Sequence, residues 1–274
     1  MRKNVPETSS SGWNPDPGLM EEVREQFIRA TTSYQANPHL IAEHVGLEDS
    51  IRVGGYANRS LLELVQNAAD AMSGEGEDVG GKNAGRVELV LDSDSGTLYC
   101  ANAGRPFSKS GLIALAQAYL SSKRGDEIGR FGLGFKSVLS VTDAPQIFSR
   151  SVSFEFNSPE ARTAIADVST ETRKYPILRT PTLADARKHF ADDPILAGLA
   201  DWAVTIVKLP NVNADNLRRL RKEIENFSSE FLLFVSSVRE VKLRVLGEDS
   251  LAKLTLVGRP FRAENWCGGR LATP

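Results

Sequence analysis

Ser60-Leu61-Leu62-Glu63-Leu64-Val65-Gln66-Asn67-Ala68-Ala69-Asp70-Ala71-Met72 is the stretch that decides how the chain is read. Wound as a helix, it brings Glu63, Asn67 and Asp70 within an arc of roughly 60°. Leu61, Leu64, Val65, Ala68 and Met72 fill the opposite side. The spacing predicts an amphipathic helix over residues 57–72, entered through the glycine-broken run Ile51-Arg52-Val53-Gly54-Gly55-Tyr56. A plain account makes the polar stripe a solvated face, and Ser60 with Glu63 also fits a capping box. The chemical account uses the same geometry. A carboxylate one turn ahead of an amide suits a general base beside a metal ligand, Glu63 polarising water toward a terminal phosphate and Asn67 offering magnesium its carbonyl oxygen. Small Ala68, Ala69 and Ala71 would let a flat base or a sheet approach closely.

Further along lies a second cluster, Gly129-Arg130-Phe131-Gly132-Leu133-Gly134-Phe135-Lys136-Ser137. Gly129, Gly132 and Gly134 remove side chains where backbone amides must reach phosphate oxygens, and a following helix would point its N-terminus at the anion. Arg130 and Lys136 add positive charge. A Rossmann fingerprint needs G-x-G-x-x-G, whereas the order here is G-x-x-G-x-G. A Walker loop needs lysine directly after the last glycine, and Phe135 intervenes. A simple turn remains open for this segment alone, but none of the three accounts for Glu63 and Asn67.

Between the clusters, residues 73–84 form a Gly- and acid-rich loop. Residues 86–92 and 97–101 alternate around Ser93-Asp94-Ser95-Gly96, which predicts a hairpin. Residues 108–120 read as a short helix. After the glycine loop come helix over 136–140 and strands over 146–149 and 151–156, then a polar stretch over 158–200 with short helices. A strand over 202–209, an amphipathic helix over 213–227, more helix over 231–238 and strands over 241–246 and 251–257 follow. Helical periodicity also appears over 18–28 and 39–45. Mixed strands with helices gathered to one side predict an α+β fold, a two-layer α/β sandwich whose mixed, largely antiparallel sheet carries helices on one face. The expected division is a flexible leader over 1–18, one domain over 19–246 and a C-terminal extension over 247–274.

Composition narrows the function classes. A chain of 274 residues, 41% hydrophobic, can bury one sizeable core. A net charge of −2 supplies no global field for nucleic acid or acidic membranes. Cys100 and Cys267 are too few for a disulfide framework, and no apolar signal core or membrane-spanning run is evident; a soluble cytoplasmic protein is expected.

The pattern E-x-x-x-N-x-x-D-A, then Asn-Ala-Gly at 102–104, then G-R-F-G-L-G-F resembles the GHKL (Bergerat-fold) ATPases: gyrase, the ninety-kilodalton heat-shock chaperones, histidine kinases and MutL. Gly54-Gly55-Tyr56 leading into residues 61–71, and Phe135-Lys136-Ser137-Val138 running to Thr142-Asp143-Ala144-Pro145-Gln146-Ile147-Phe148-Ser149, resemble the sacsin-type branch of the chaperone-like group. The resemblance covers residues 38–246, weakest over 158–200. It implies ATP and Mg²⁺ as cofactors, Glu63 as catalytic base and Asn67 as magnesium ligand. Asp70, with Ala71, matches the acid near the base-binding end. Asn102 and Gly104 match the turn whose aspartate accepts a hydrogen bond from adenine's amine. Ser121, Ser122 and Lys123 fall in the lid segment, and Gly129, Arg130, Phe131, Gly132, Leu133, Gly134, Phe135 and Lys136 in the phosphate-contacting turn. Thr205 matches the strand threonine that supports adenine recognition. Two positions depart from that pattern. Asn102 stands where the family carries aspartate, losing the charge assistance that roughly doubles a hydrogen bond. Val204 stands where a glycine often precedes the threonine.

Arg218-Arg219-Leu220-Arg221-Lys222 reads as a solvated helix face, so nucleic-acid binding is not expected of this module. His39, His44 and His189 show no metal spacing, and no phosphoacceptor histidine helix is evident. Two functions stay open. One is a chaperone-like, magnesium-dependent ATPase, turning ATP into ADP and phosphate slowly while a lid over 105–128 closes. The other is a non-catalytic, nucleotide-gated module that pairs with a protein client, a partner domain or a second copy of itself, in quality control or defence.

Overall fold

The alternating apolar runs of the sequence pair into one eight-stranded sheet. A computed structural model describes residues 12–53, 60–73, 81–117, 135–169, 174–228, 230, 235, 237–247 and 254–257. Three helices come first: α1 (Pro17–Ala36), α2 (His39–Val53) and α3 (Ser60–Met72). The hairpin β1 (Arg86–Asp92) and β2 (Thr97–Asn102) follows, then α4 (Lys109–Gln117) and a 3-10 turn at Phe135–Ser140. β3 (Gln146–Ser149), β4 (Ser153–Glu155), α5 (Pro159–Ala166), β5 (Thr182–Leu183), α6 (Ala186–Asp192) and α7 (Pro194–Ala200) continue the chain. β6 (Thr205–Leu209), α8 (Ala214–Glu225), β7 (Glu240–Leu246) and β8 (Leu254–Val257) complete it.

The strand order is β5-β4-β3-β6-β2-β1-β7-β8. Only β1 and β7 run parallel; the other neighbours are antiparallel. Local chemistry explains many boundaries. Asp16, Ser158, Asp185, Asp193 and Asn213 each cap a helix by accepting backbone N–H groups, and Pro17, Pro159 and Pro194 follow their caps directly. Gly96 closes the β1–β2 turn at φ +64°, a left-handed conformation that favours glycine.

The sheet is a two-layer α+β sandwich with an addition. Leu89, Leu91, Leu98, Cys100, Ile147 and Leu243 turn to one face, where they meet Leu61, Leu64 and Val65 of α3 and Leu220 and Ile224 of α8. Because side chains alternate along a strand, Val90, Tyr99, Ala101, Phe148 and Ile206 turn to the other face. That face is not bare: Leu196 and Leu199 of α7, together with Trp13, cover it. The expected single helical layer therefore gains a partial third one, supplied by the polar stretch before β6. This explains why β2 is buried along its whole length.

Trp13 also alters the picture of the N-terminus. Its indole N–H donates to the Ala200 carbonyl at 3.2 Å and its ring meets Phe190 edge-on at 4.9 Å. The last residues of the expected leader, 12–18, are thus part of the packed structure; residues 1–11 lie outside the described residues. Of the helix expected over 231–238, residues 231–234 and 236 lie outside them too. The strand expected over 202–209 begins at Thr205, because residues 201–202 turn out of α7.

Candidate functional site

The helix α3 forms as its periodicity predicts. Leu61, Leu64, Val65, Ala68 and Ala69 are buried, Glu63 and Asn67 are half-buried, and Asp70 is exposed. Its last turn is held against the sheet. The Ala71 carbonyl accepts the Arg105 N–H at 2.9 Å, and the Arg105 guanidinium donates to the Ser73 carbonyl at 2.6 Å. This close approach demands glycine at 104: a Cβ there would lie 2.8 Å from the Ala71 carbonyl carbon and oxygen.

Between α3, the strand ends and α4 lies a cavity of about 510 Å³. Asn67, Ala68, Asp70 and Ala71 of α3 line it, with Asn102 of β2, Thr205 of β6 and Phe135 after the glycine loop. Its walls are otherwise largely apolar, including Leu64, Cys100, Phe107, Leu115, Ile147 and Val207. Burial pushes the Cys100 thiol up to about 12, so that wall stays uncharged at neutral pH.

Polar groups converge from the strand register. Asn102 pairs with Thr205, and Thr205 with Ser149, so three neighbouring strands place a row of buried polar side chains together. Asn102 Oδ1 accepts the Gly104 N–H at 3.0 Å. Ser149 Oγ lies 3.0 Å from Thr205 Oγ1 and accepts the Phe107 N–H at 2.9 Å. The Asn67 Nδ2 is buried and has no hydrogen-bond partner among the described residues. Buried polar groups are nearly always paired, so this amide is a donor available to the cavity that Asn67 lines.

The sequence-predicted residues thus divide. Asn67, Asp70, Ala71, Asn102, Thr205 and Phe135 meet at one cavity. Gly104 positions the wall beside them. Glu63 sits one turn ahead of Asn67 on α3 and is not among the described residues lining the cavity. Ser121, Ser122 and Lys123, and Gly129, Arg130, Phe131, Gly132, Leu133 and Gly134, lie outside the described residues, as does the expected lid from residue 118 on.

Lys136 goes elsewhere. It is buried, it does not line the cavity, and it shares a charged cluster with Glu48 and Arg179. Burial first, and the Arg179 charge second, bring its ammonium down to about 8, against the opposing pull of Glu48. Glu48 accepts the backbone N–H groups of Ile177 and Leu178 at 2.8–2.9 Å, tying α2 to that segment. Sequence reasoning places this lysine with the glycine loop it follows; the 3-10 turn at Phe135–Ser140 sets it beside Glu48 and Arg179. Sequence reasoning also missed Ser149, Phe107 and Arg105. The pairing of β3 with β6, which brings Ser149 beside Thr205, was the signal for the first.

Among the described residues no group of three or more His, Cys, Asp or Glu side chains could hold a metal ion, and no helix is long and apolar enough to cross a membrane. Similarity to the plant protein NO VEIN of Arabidopsis thaliana is 29% identity over 199 residues, 70% of this chain and 7% of that protein. Similarity to human sacsin is 32% identity over 110 residues, 38% of this chain and 2% of sacsin. The chain therefore spans a small fraction of these relatives. A family model described as the Sacsin domain matches residues 52–257, a span that takes in α3, the cavity and all eight strands; the chain belongs to the sacsin domain family.

Proposed function

We propose that the cavity binds a purine nucleoside triphosphate, ATP with Mg²⁺, as in the GHKL-type ATPases. The observation that carries this reading is the unpartnered Asn67 amide on a largely apolar cavity that Asn102 and Thr205 also line, with Ser149 bonded behind Thr205. The apolar walls suit the faces of a base, the polar row its edge, and Asn67 the phosphate end. The unpartnered Nδ2–H suits a phosphate oxygen, and Oδ1 of the same amide is the atom that would hold Mg²⁺, an ion that keeps waters and phosphate oxygens around it. Bound there, the ion would neutralise phosphate charge. The rest falls to the chain's own residues: Asn67 orients, the apolar walls exclude water from the base, and Glu63, one turn ahead, accepts the proton of an attacking water.

Calorimetric titration tests this directly. The account expects saturable, magnesium-dependent ATP binding that Asn67→Ala weakens, and a Glu63→Ala variant that binds normally while turnover falls about 10²- to 10⁴-fold. Unchanged turnover in Glu63→Ala would end the base assignment. A second reading draws on the position of Glu63 outside the lining: nucleotide binds without hydrolysis, and the loaded module engages a client, a partner domain or its own copy. Tight binding with no phosphate released over hours would favour that reading.

A further inference from the structure

We propose that Asn102 makes this site a receptor for 6-oxopurine nucleotides, taking a base with a carbonyl at position 6 at least as well as one with an amine. The inference rests on the nucleotide reading above and adds the identity of the base. It starts from a hydrogen bond. Asn102 is 5% exposed and lines the cavity. Its neighbour Gly104 offers a backbone N–H, which only the oxygen of the amide can accept, and does so at 3.0 Å. That bond fixes which end of the amide is which. Oδ1 is turned back on its own chain; the planar group then sends the Nδ2–H donors away from it, toward the cavity.

The neighbouring hydroxyls add an adaptable partner. Ser149 Oγ accepts the Phe107 N–H, so its single proton goes to an acceptor. Three are in reach: Thr205 Oγ1 at 3.0 Å, the Val204 carbonyl at 3.4 Å and Ser151 Oγ at 3.4 Å. Either hydroxyl can donate in the Ser149–Thr205 contact, so Thr205, which lines the cavity, can turn its proton into the cavity when Ser149 donates to it, or hold it when Ser149 donates to Val204. One fixed donor, the amide N–H of Asn102, and one adaptable hydroxyl therefore converge across β2 and β6, where the register sets Asn102 opposite Thr205.

An exocyclic amine brought to this place meets the Asn102 donor with a donor, and is served by the second lone pair of Oδ1 or by the Thr205 oxygen. A 6-carbonyl offers lone pairs to the Asn102 N–H and to the Thr205 hydroxyl. A site whose polar groups are matched by one analogue and mismatched by another discriminates against the second. Aspartate at the same position would reverse the preference: its carboxylate accepts from Gly104 and from an amine, and repels a carbonyl.

The test uses ATP and ITP, which differ at position 6 and, with it, in the proton that ITP carries on N1, titrated with magnesium into the full chain by calorimetry, alongside N102D. The expected result is ITP binding as tightly as ATP or up to about tenfold tighter in the unaltered protein, with N102D shifting the ratio at least tenfold toward ATP. ATP binding more than threefold tighter than ITP in the unaltered protein overturns the proposal while leaving nucleotide binding intact, and needs no variant to be seen. So does a ratio that N102D leaves unmoved. Binding of neither nucleotide overturns the nucleotide reading itself, and this proposal with it.

Discussion

Replacing Asn67 with leucine should make the protein more stable and deprive it of nucleotide binding. The amide nitrogen of Asn67 is buried without a partner among the described residues. Leaving a polar group in that state costs about 1–3 kcal/mol, whereas an apolar group of similar shape costs nothing of the kind. Leucine is close in volume and would lie beside Leu64, Ala68 and Ala71, which already line the same wall. It is also a better helix former than asparagine by a few tenths of a kcal/mol, and α3 is a regular helix there. Asn67 is only half-buried, so the lower part of the range applies and the net gain should be about 1–2 kcal/mol. Urea unfolding should show a raised midpoint with unchanged slope, and the melting temperature should rise by about 3–6 °C. Calorimetry on the same sample should show magnesium-dependent nucleotide binding lost. A variant destabilised by more than about 1 kcal/mol would mean that Asn67 is a structural residue whose amide is satisfied, and the reasoning from an orphaned group would fail.

Three further outcomes follow from other parts of the molecule. Gly104→Ala should cost about 2–4 kcal/mol in urea unfolding, because the new Cβ would press 2.8 Å from the Ala71 carbonyl and strain the Arg105–Ala71 hydrogen bond; a loss under 0.5 kcal/mol would refute the close-approach account. Glu88, buried and bonded to Arg86 at 2.6 Å and Arg244 at 2.9 Å, joins β1 to β7. Burial alone would raise its pKa, but the hydrogen bonds from Arg244 and then Arg86 hold it below the ordinary glutamate value of 4.5. The stability it lends is therefore full above that value and lost as pH falls through the lower folded value. Glu88→Ala should cost about 2 kcal/mol at neutral pH and flatten the acid limb of the stability curve. Lys136 shifts stability in the same sense, at the alkaline end. With its folded pKa brought to about 8 by burial and by Arg179, the unfolded chain binds the extra proton between about 8 and 10.5, so stability should rise with pH across that window. Lys136→Met should abolish that rise, which chemical denaturation at pH 7.5, 9 and 10 would show.

Much of this was legible in the chain. The stripe of Glu63, Asn67 and Asp70 forecasts α3 because period and side-chain type point the same way. The β1–β2 hairpin announces itself through Asp94-Ser95-Gly96. Asn102 and Thr205 were found as separate motifs, and the sheet register joins them. What could not be read depends on contacts distant in sequence. Lys136 looks like a phosphate ligand until α2 supplies Glu48 and residue 179 supplies a second cation. The polar stretch over 158–200 carries weak periodicity because α6 and α7 are short, yet it covers the second face of the sheet through Leu196 and Leu199. Trp13 sits in a polar, proline-bearing run, and only the Ala200 carbonyl reveals it as an anchor.

The central claim is that one cavity seats a purine base against Asn102 and Thr205 and its phosphates toward Asn67. A crystal structure of the full chain grown with magnesium and a saturating, non-hydrolysable purine nucleoside triphosphate addresses it most directly. The account predicts the base edge against Asn102 and Thr205, with the Asn67 amide reaching the metal or the phosphates. Nucleotide bound at another surface, with water alone between α3 and β6, would contradict it.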